Sequence, residues 1–89
     1  MATITVEALQ HDPLAMSIAR AVSLANKAAL AHGVDPAHSM ITITDECLPT
    51  GRVWRIHYGP RDFVGRRGGD LIVLVDERLD AVLRIVRGQ

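Results

Sequence analysis

The stretch that decides the fold runs from Val53 to Val75, VWRIHYGPRDFVGRRGGDLIVLV. Its two ends are strand-like. Val53–Tyr58 alternates, placing Trp54, Ile56 and Tyr58 on one face and Val53, Arg55 and His57 on the other. Leu71–Val75 is apolar throughout, which predicts a strand covered on both faces. Between them lies a connection rich in glycine and arginine, Gly59–Asp70. The only Trp, Tyr and Phe of the chain fall within this stretch, so its aromatic packing is expected here.

Working outward, Met40–Thr44 alternates Ile41 and Ile43 with Thr42 and Thr44, the pattern of a half-buried strand. Pro49-Thr50-Gly51, within the connection Asp45–Arg52, provides a tight reversal into the Trp54 strand. Beyond Val75, Asp76–Asp80 reads as a turn. Ala81–Val86 closes the chain as a last strand, with Leu83 and Ile85 sharing one face and Val82, Arg84 and Val86 the other.

Upstream, Asp12 is a good N-cap and Pro13 suits the first helical position, where its missing N–H costs nothing. The helix is expected to run to Ala31 or His32 and to end at Gly33 in a left-handed conformation. At 100° per residue Leu14, Ile18, Ala21, Val22, Ala25, Ala28 and Ala29 form its buried stripe. Arg20, Ser23, Asn26 and Lys27 lie opposite, while Met16, Leu24 and Leu30 lie off the stripe. Asp35-Pro36 marks the turn that follows. Ala2–Leu9 fits an edge strand, a helical turn or a loose arm.

These elements predict one domain over residues 1–89. A helix near 13–32 precedes strands near 40–44, 52–58, 70–76 and 81–87. The fold class is α+β in two layers, one N-terminal helix packed on an antiparallel meander of about four strands. The second sheet face would carry Thr42, Thr44, Val53, Arg55, His57, Val82, Arg84 and Val86. That mixture is too apolar for a purely wetted face and too charged for a core, as at partner-binding surfaces.

Composition narrows the functions. At 89 residues and 48% hydrophobic, the chain can bury a modest core, and association would add to it. The formal net charge is zero, which disfavours non-specific nucleic-acid binding. Yet residues 1–50 hold two basic and five acidic groups, and residues 51–89 eight basic, all arginine, and five acidic. This split leaves open an arginine-rich face for one acidic partner. The single Cys47 cannot form an internal disulfide, the N-terminus lacks a signal-peptide pattern, and no run is long enough to cross a bilayer. A cytoplasmic location without membrane contact is expected.

No catalytic or metal constellation emerges. His11, His32, His38 and His57 sit in separate elements without zinc-site spacing, so neither metal nor cofactor is expected. Cys47 beside Asp45 and Glu46 is disfavoured as a nucleophile, since acidic neighbours raise a thiol's pKa. Gly65-Arg66-Arg67-Gly68-Gly69 leads into a strand, whereas a phosphate loop leads into a helix. Its glycines suit a bulge or tight strand entry, and Arg61, Arg66 and Arg67 would project from it either as an ordinary solvated loop or as donors to carboxylates. Trp54, in phase with Ile56 and Tyr58, reads as core. Asp70 and Asp76 read as strand-end turn residues.

The runs WRIHYG (Trp54–Gly59), GGDLIVLVD (Gly68–Asp76) and VLRIVRGQ (Val82–Gln89) together resemble the C-terminal half of small bacterial immunity proteins. Those have a nuclear-transport-factor-like, cystatin-like or PepSY-like arrangement, in which a helix precedes a curved antiparallel sheet. The resemblance spans about residues 54–89. It implies a non-enzymatic protein that neutralises a bacterial toxin by occluding it, without shared catalytic residues. Partner contacts are then expected at Arg55, His57 and Arg84 on the sheet and at Arg61, Arg66 and Arg67 on the loop. The alternative is a homodimeric small-ligand-binding or scaffold domain, self-paired through the second sheet face.

Overall fold

The computed structural model describes residues 4–60 and 70–88. A short helix α1 (Val6–Gln10) and a long helix α2 (Pro13–Ala31) lead through a 3₁₀ turn (Pro36–His38) into four strands. These are β1 (Ser39–Leu48), β2 (Gly51–Pro60), β3 (Leu71–Asp76) and β4 (Ala81–Arg87). All neighbours are antiparallel and the sheet order is β1-β2-β3-β4. The α+β expectation, one main helix on a four-stranded antiparallel sheet, describes the molecule. Among the described residues no helix is long and apolar enough to cross a membrane.

Helix α2 begins and ends where the sequence places its signals. Asp12 Oδ1 accepts from Ala15 N at 3.0 Å, and Pro13 opens the first turn. At the other end Gly33 adopts φ +78°. Its N–H donates to Leu30 O at 3.1 Å, and Val34 N donates to Ala29 O at 2.8 Å. This paired closure satisfies two carbonyls that the helix leaves free, and Val34 packs against the core beside it. Arg87 adds a guanidinium donor to His32 O, a cation at the negative end of the helix dipole. Upstream, of the three forms open to Ala2–Leu9, the described residues take the helical one, α1, capped by Thr5 Oγ1 accepting from Ala8 N, while Ala2 and Thr3 lie outside the described residues.

The core forms where α2 lies over β2, β3 and β4. Trp54, Ile56 and Tyr58 stand opposite Val75, Val73 and Leu71, and all six are buried with Ala21, Ala25 and Ala29. The alanines let the helix backbone approach the sheet closely. Each large apolar side chain buried there contributes about 1.5–3 kcal/mol.

Several placements differ from the sequence reading. Leu14 is 50% exposed, because Ser17 takes the stripe position nearest the helix start. Leu24, expected off the stripe, packs against the core. The first strand extends past Thr44 to Leu48, so the turn shrinks to Pro49-Thr50. Nor is that strand half-buried: Ile41 and Ile43 are each 38% exposed although their partners Tyr58 and Ile56 are at 0%. They share the helix-side face, but the helix does not reach over β1. On β3 only Leu71, Val73 and Val75 are covered by the helix, and Ile72 and Leu74 are half-buried on the other face.

The last strand carries a bulge. Leu74 pairs with Arg84 and Val75 with Val82, leaving Leu83 unpaired between them. Val82 therefore turns to the helix side and packs on the core with Ile85, while Leu83 is 49% exposed. The expected grouping of Leu83 with Ile85, and of Val82 with Arg84 and Val86, is overturned by that one extra residue. The preceding turn is held by Asp76, whose Oδ1 accepts from Arg78 N and Leu79 N, as its strand-end position implies.

Candidate functional site

The sheet face turned away from α2 is ordered by register into rows. One row runs Thr44, Arg55, Leu74, Arg84, and the next runs Thr42, His57, Ile72, Val86. Arg55 and Arg84 thus flank Leu74 on alternate strands, roughly 9–10 Å apart at the usual strand spacing. Neither arginine forms an ion pair with another described residue. Their guanidinium groups are planar five-donor forks, suited to carboxylates. Leu74, Ile72 and Val86 supply apolar surface between and beside them.

His57 is placed differently. Its Nε2 lies 3.3 Å from Asp70 Oδ2, so the aspartate fixes the ring at the strand end. Asp70 is itself held by β4, where Gly88 N donates to Asp70 O at 2.9 Å. A Cβ on Gly88 would lie 2.9 Å from Asp70 Cβ, so this approach requires glycine. Met40, Thr42, His57, Gly59, Pro60 and Asp70 line a cavity of about 100 Å³.

Of the six expected contact residues, Arg55, His57 and Arg84 share the open face, with Arg55 and Arg84 in one row. Arg61, Arg66 and Arg67 lie outside the described residues, as do Gly65, Gly68 and Gly69. Val82 leaves the face through the bulge. Val53 remains on that side but is 2% exposed.

A second polar cluster runs along the helix side. Trp54 Nε1 donates to Ser17 Oγ at 2.9 Å, and Ser17 Oγ donates to Glu77 Oε2. Glu77 Oε2 lies 3.6 Å from Arg52 Nη1, whose Nε is 3.3 Å from Asp45 Oδ2. The Arg52 guanidinium also sits 5.2 Å from the centre of the Trp54 ring. These contacts knit helix, strand and turn together, with Trp54 at 4% exposure serving as core. Tyr58 OH donates to Asn26 Oδ1 at 2.6 Å, and burial pushes its phenol up to about 12.

Sequence reasoning missed Ser17, Asn26 and the role of Asp70. Ser17 was detectable: it lies four residues before Ala21 on the line of Ala25 and Ala29, and the lone Trp needs an acceptor for its N–H. The Asp70–His57 pairing depends on strand register and left no local signal.

The remaining titratable groups are local. His38 Nδ1 lies 2.6 Å from Asp35 Oδ2; that hydrogen bond, then one from Ala37 N–H, hold the Asp35 carboxyl below its usual range. Cys47 is exposed, its Sγ 3.8 Å from Asp45 Oδ1. Among the described residues no three His, Cys, Asp or Glu side chains converge as metal ligands. A comparison of the chain with protein-family models found no match, and searches of curated proteins and of solved structures found none either.

Proposed function

We propose that this chain is a non-catalytic protein-binding domain of the immunity type, which neutralises a bacterial toxin by covering it with the open sheet face. The observation that carries the reading is the row Arg55–Leu74–Arg84, two guanidinium groups without an ion pair among the described residues, astride an apolar residue. Such a face offers an apolar centre that a partner can desolvate, with charges that pair with acidic groups. The arginines set encounter rate and register, and Ile72, Leu74 and Val86 hold the complex. A lone exposed thiol at Cys47 supports an encounter in a reducing compartment such as the cytoplasm.

The small-ligand alternative has weaker support. On the second sheet face the cavity beside His57 is about 100 Å³, whereas ordinary ligand pockets begin at ~300 Å³, and the hollow of about 630 Å³ along Pro36–Ile41 is largely open to solvent.

The test is protection. The reading predicts a toxin gene beside that of this chain; the two products are co-expressed, and survival and complex formation are measured. Wild-type chain should protect, and Arg55→Glu/Arg84→Glu should not. Absence of both protection and complex with wild-type chain would overturn the reading.

A further inference from the structure

The two edges of the sheet are unequal. A free strand edge presents unpaired N–H and C=O groups, and proteins blunt it with charge, proline or a bulge. Edge β4 is guarded in this way, with its bulge at Leu83 and with Arg84 and Arg87 along it. Edge β1 is not. It spans ten residues, pairs with β2 in unbroken register, and carries neither charge nor proline from Ser39 to Thr44. Met40 is 51% exposed, and Ile41 and Ile43 are 38% exposed on the side that α2 leaves bare.

We infer that β1 pairs antiparallel with β1 of a second copy of this chain, about a two-fold axis at Thr42. The strand's own sequence selects this occupant. With the axis at Thr42, Ile41 of each copy stands opposite Ile43 of the other, and Thr42 meets Thr42. Met40 meets Thr44, and Asp45 meets Ser39. Moving the axis to Asp45 would set Asp45 against itself, and like charges directly opposed destabilise a sheet. Pairing over residues 39–45 spans roughly 24 Å of strand.

The result is an eight-stranded sheet. A two-fold perpendicular to it keeps both helices on one side and both open faces on the other. The arginine rows of the two copies then lie on one continuous surface, so the dimer does not occupy the face proposed for the partner. This inference is independent of that proposal.

The test uses the whole chain. Light scattering across a concentration series should give a dimer of the 9.7 kDa chain. Ile41→Lys/Ile43→Lys, both at exposed sites, should weaken association at least about tenfold, since four ammonium groups would face one another. Circular dichroism should show the same fold. Register is read by cysteines in a Cys47→Ser background under diamide, which oxidises two thiols to a disulfide. Thr42→Cys should cross-link, because opposed Cα atoms lie about 4.5–5.5 Å apart. Thr44→Cys should not, being offset by four residues, or about 14 Å. A monomer at every concentration overturns the inference. So does a dimer that fails to cross-link through Thr42→Cys, or one broken by Arg84→Glu and indifferent to the Ile41/Ile43 pair.

Discussion

The indole N–H of Trp54 reaches Ser17 Oγ across 2.9 Å, joining the central strand to the first turns of α2. Ser17 is 6% exposed, so water does not readily replace it. Replacing Ser17 with Ala leaves a buried donor unmatched and also removes the hydroxyl that donates to Glu77 Oε2, which keeps Arg52. The expected loss is about 1–3 kcal/mol. That lowers the melting temperature by roughly 4–8 °C per kcal/mol in a domain of this size. A denaturant series should show it, and a change below about 0.5 kcal/mol, the range of an ordinary surface substitution, would contradict the assignment.

Tyr58 is the only tyrosine, so the ultraviolet absorbance of tyrosinate reports this residue alone. Burial raises its phenol from 10.0 to about 12. The folded state thus holds the proton more tightly than the unfolded one. Its contribution to stability is complete below pH 10, falls as pH rises, and is gone above about 12. Native protein should ionise late, and denatured protein near 10. Tyr58→Phe should flatten stability between those values; an unchanged slope would assign it elsewhere.

Gly88 closes on Asp70 with no space for a methyl group. Gly88→Ala should push the end of β4 from Asp70, at a cost of about 1–3 kcal/mol. The His57–Asp70 pair should loosen with it, seen as a shift of the His57 ring resonances in NMR. Unmoved resonances and unchanged stability would show that the strand end accommodates the methyl without strain.

Arg55 and Arg84 lie outside the core and pair with no described group. Arg55→Glu/Arg84→Glu should leave stability within about 1 kcal/mol while removing partner binding. A large fall in melting temperature would mean that the row is structural, and the binding assay would lose its meaning.

The parts legible in sequence were those with local causes. Asp12, Pro13 and Gly33 marked both ends of α2 because caps are short-range chemistry. The alternation of Trp54, Ile56 and Tyr58 gave the buried face because strand periodicity is also local. What failed was set at a distance. Ile41 and Ile43 alternate like buried residues, but their exposure depends on where α2 crosses the sheet. Val82 changed face because one unpaired residue shifted β4 against β3, and the string Val82–Val86 alternates plausibly without it. At the site, Arg55 and Arg84 were named from their strands, but their separation by Leu74 alone came from register.

That unpaired residue has a genetic consequence. Counted along β4, Leu83 is a supernumerary position: faces alternate correctly through Ala81, Val82, Arg84 and Ile85 if it is skipped. One codon of this strand is therefore expendable. A chain without it would keep Val82 and Ile85 on the core and Arg84 outside, in a plain ladder. Loss of Arg84 would keep the same alternation with Leu83 in the outward position, whereas loss of Ile85 would turn Arg84 onto the core face. Among variants shortened by a single residue within this strand, survivors should concentrate at Leu83 and Arg84, and only loss of Leu83 should also keep the arginine row.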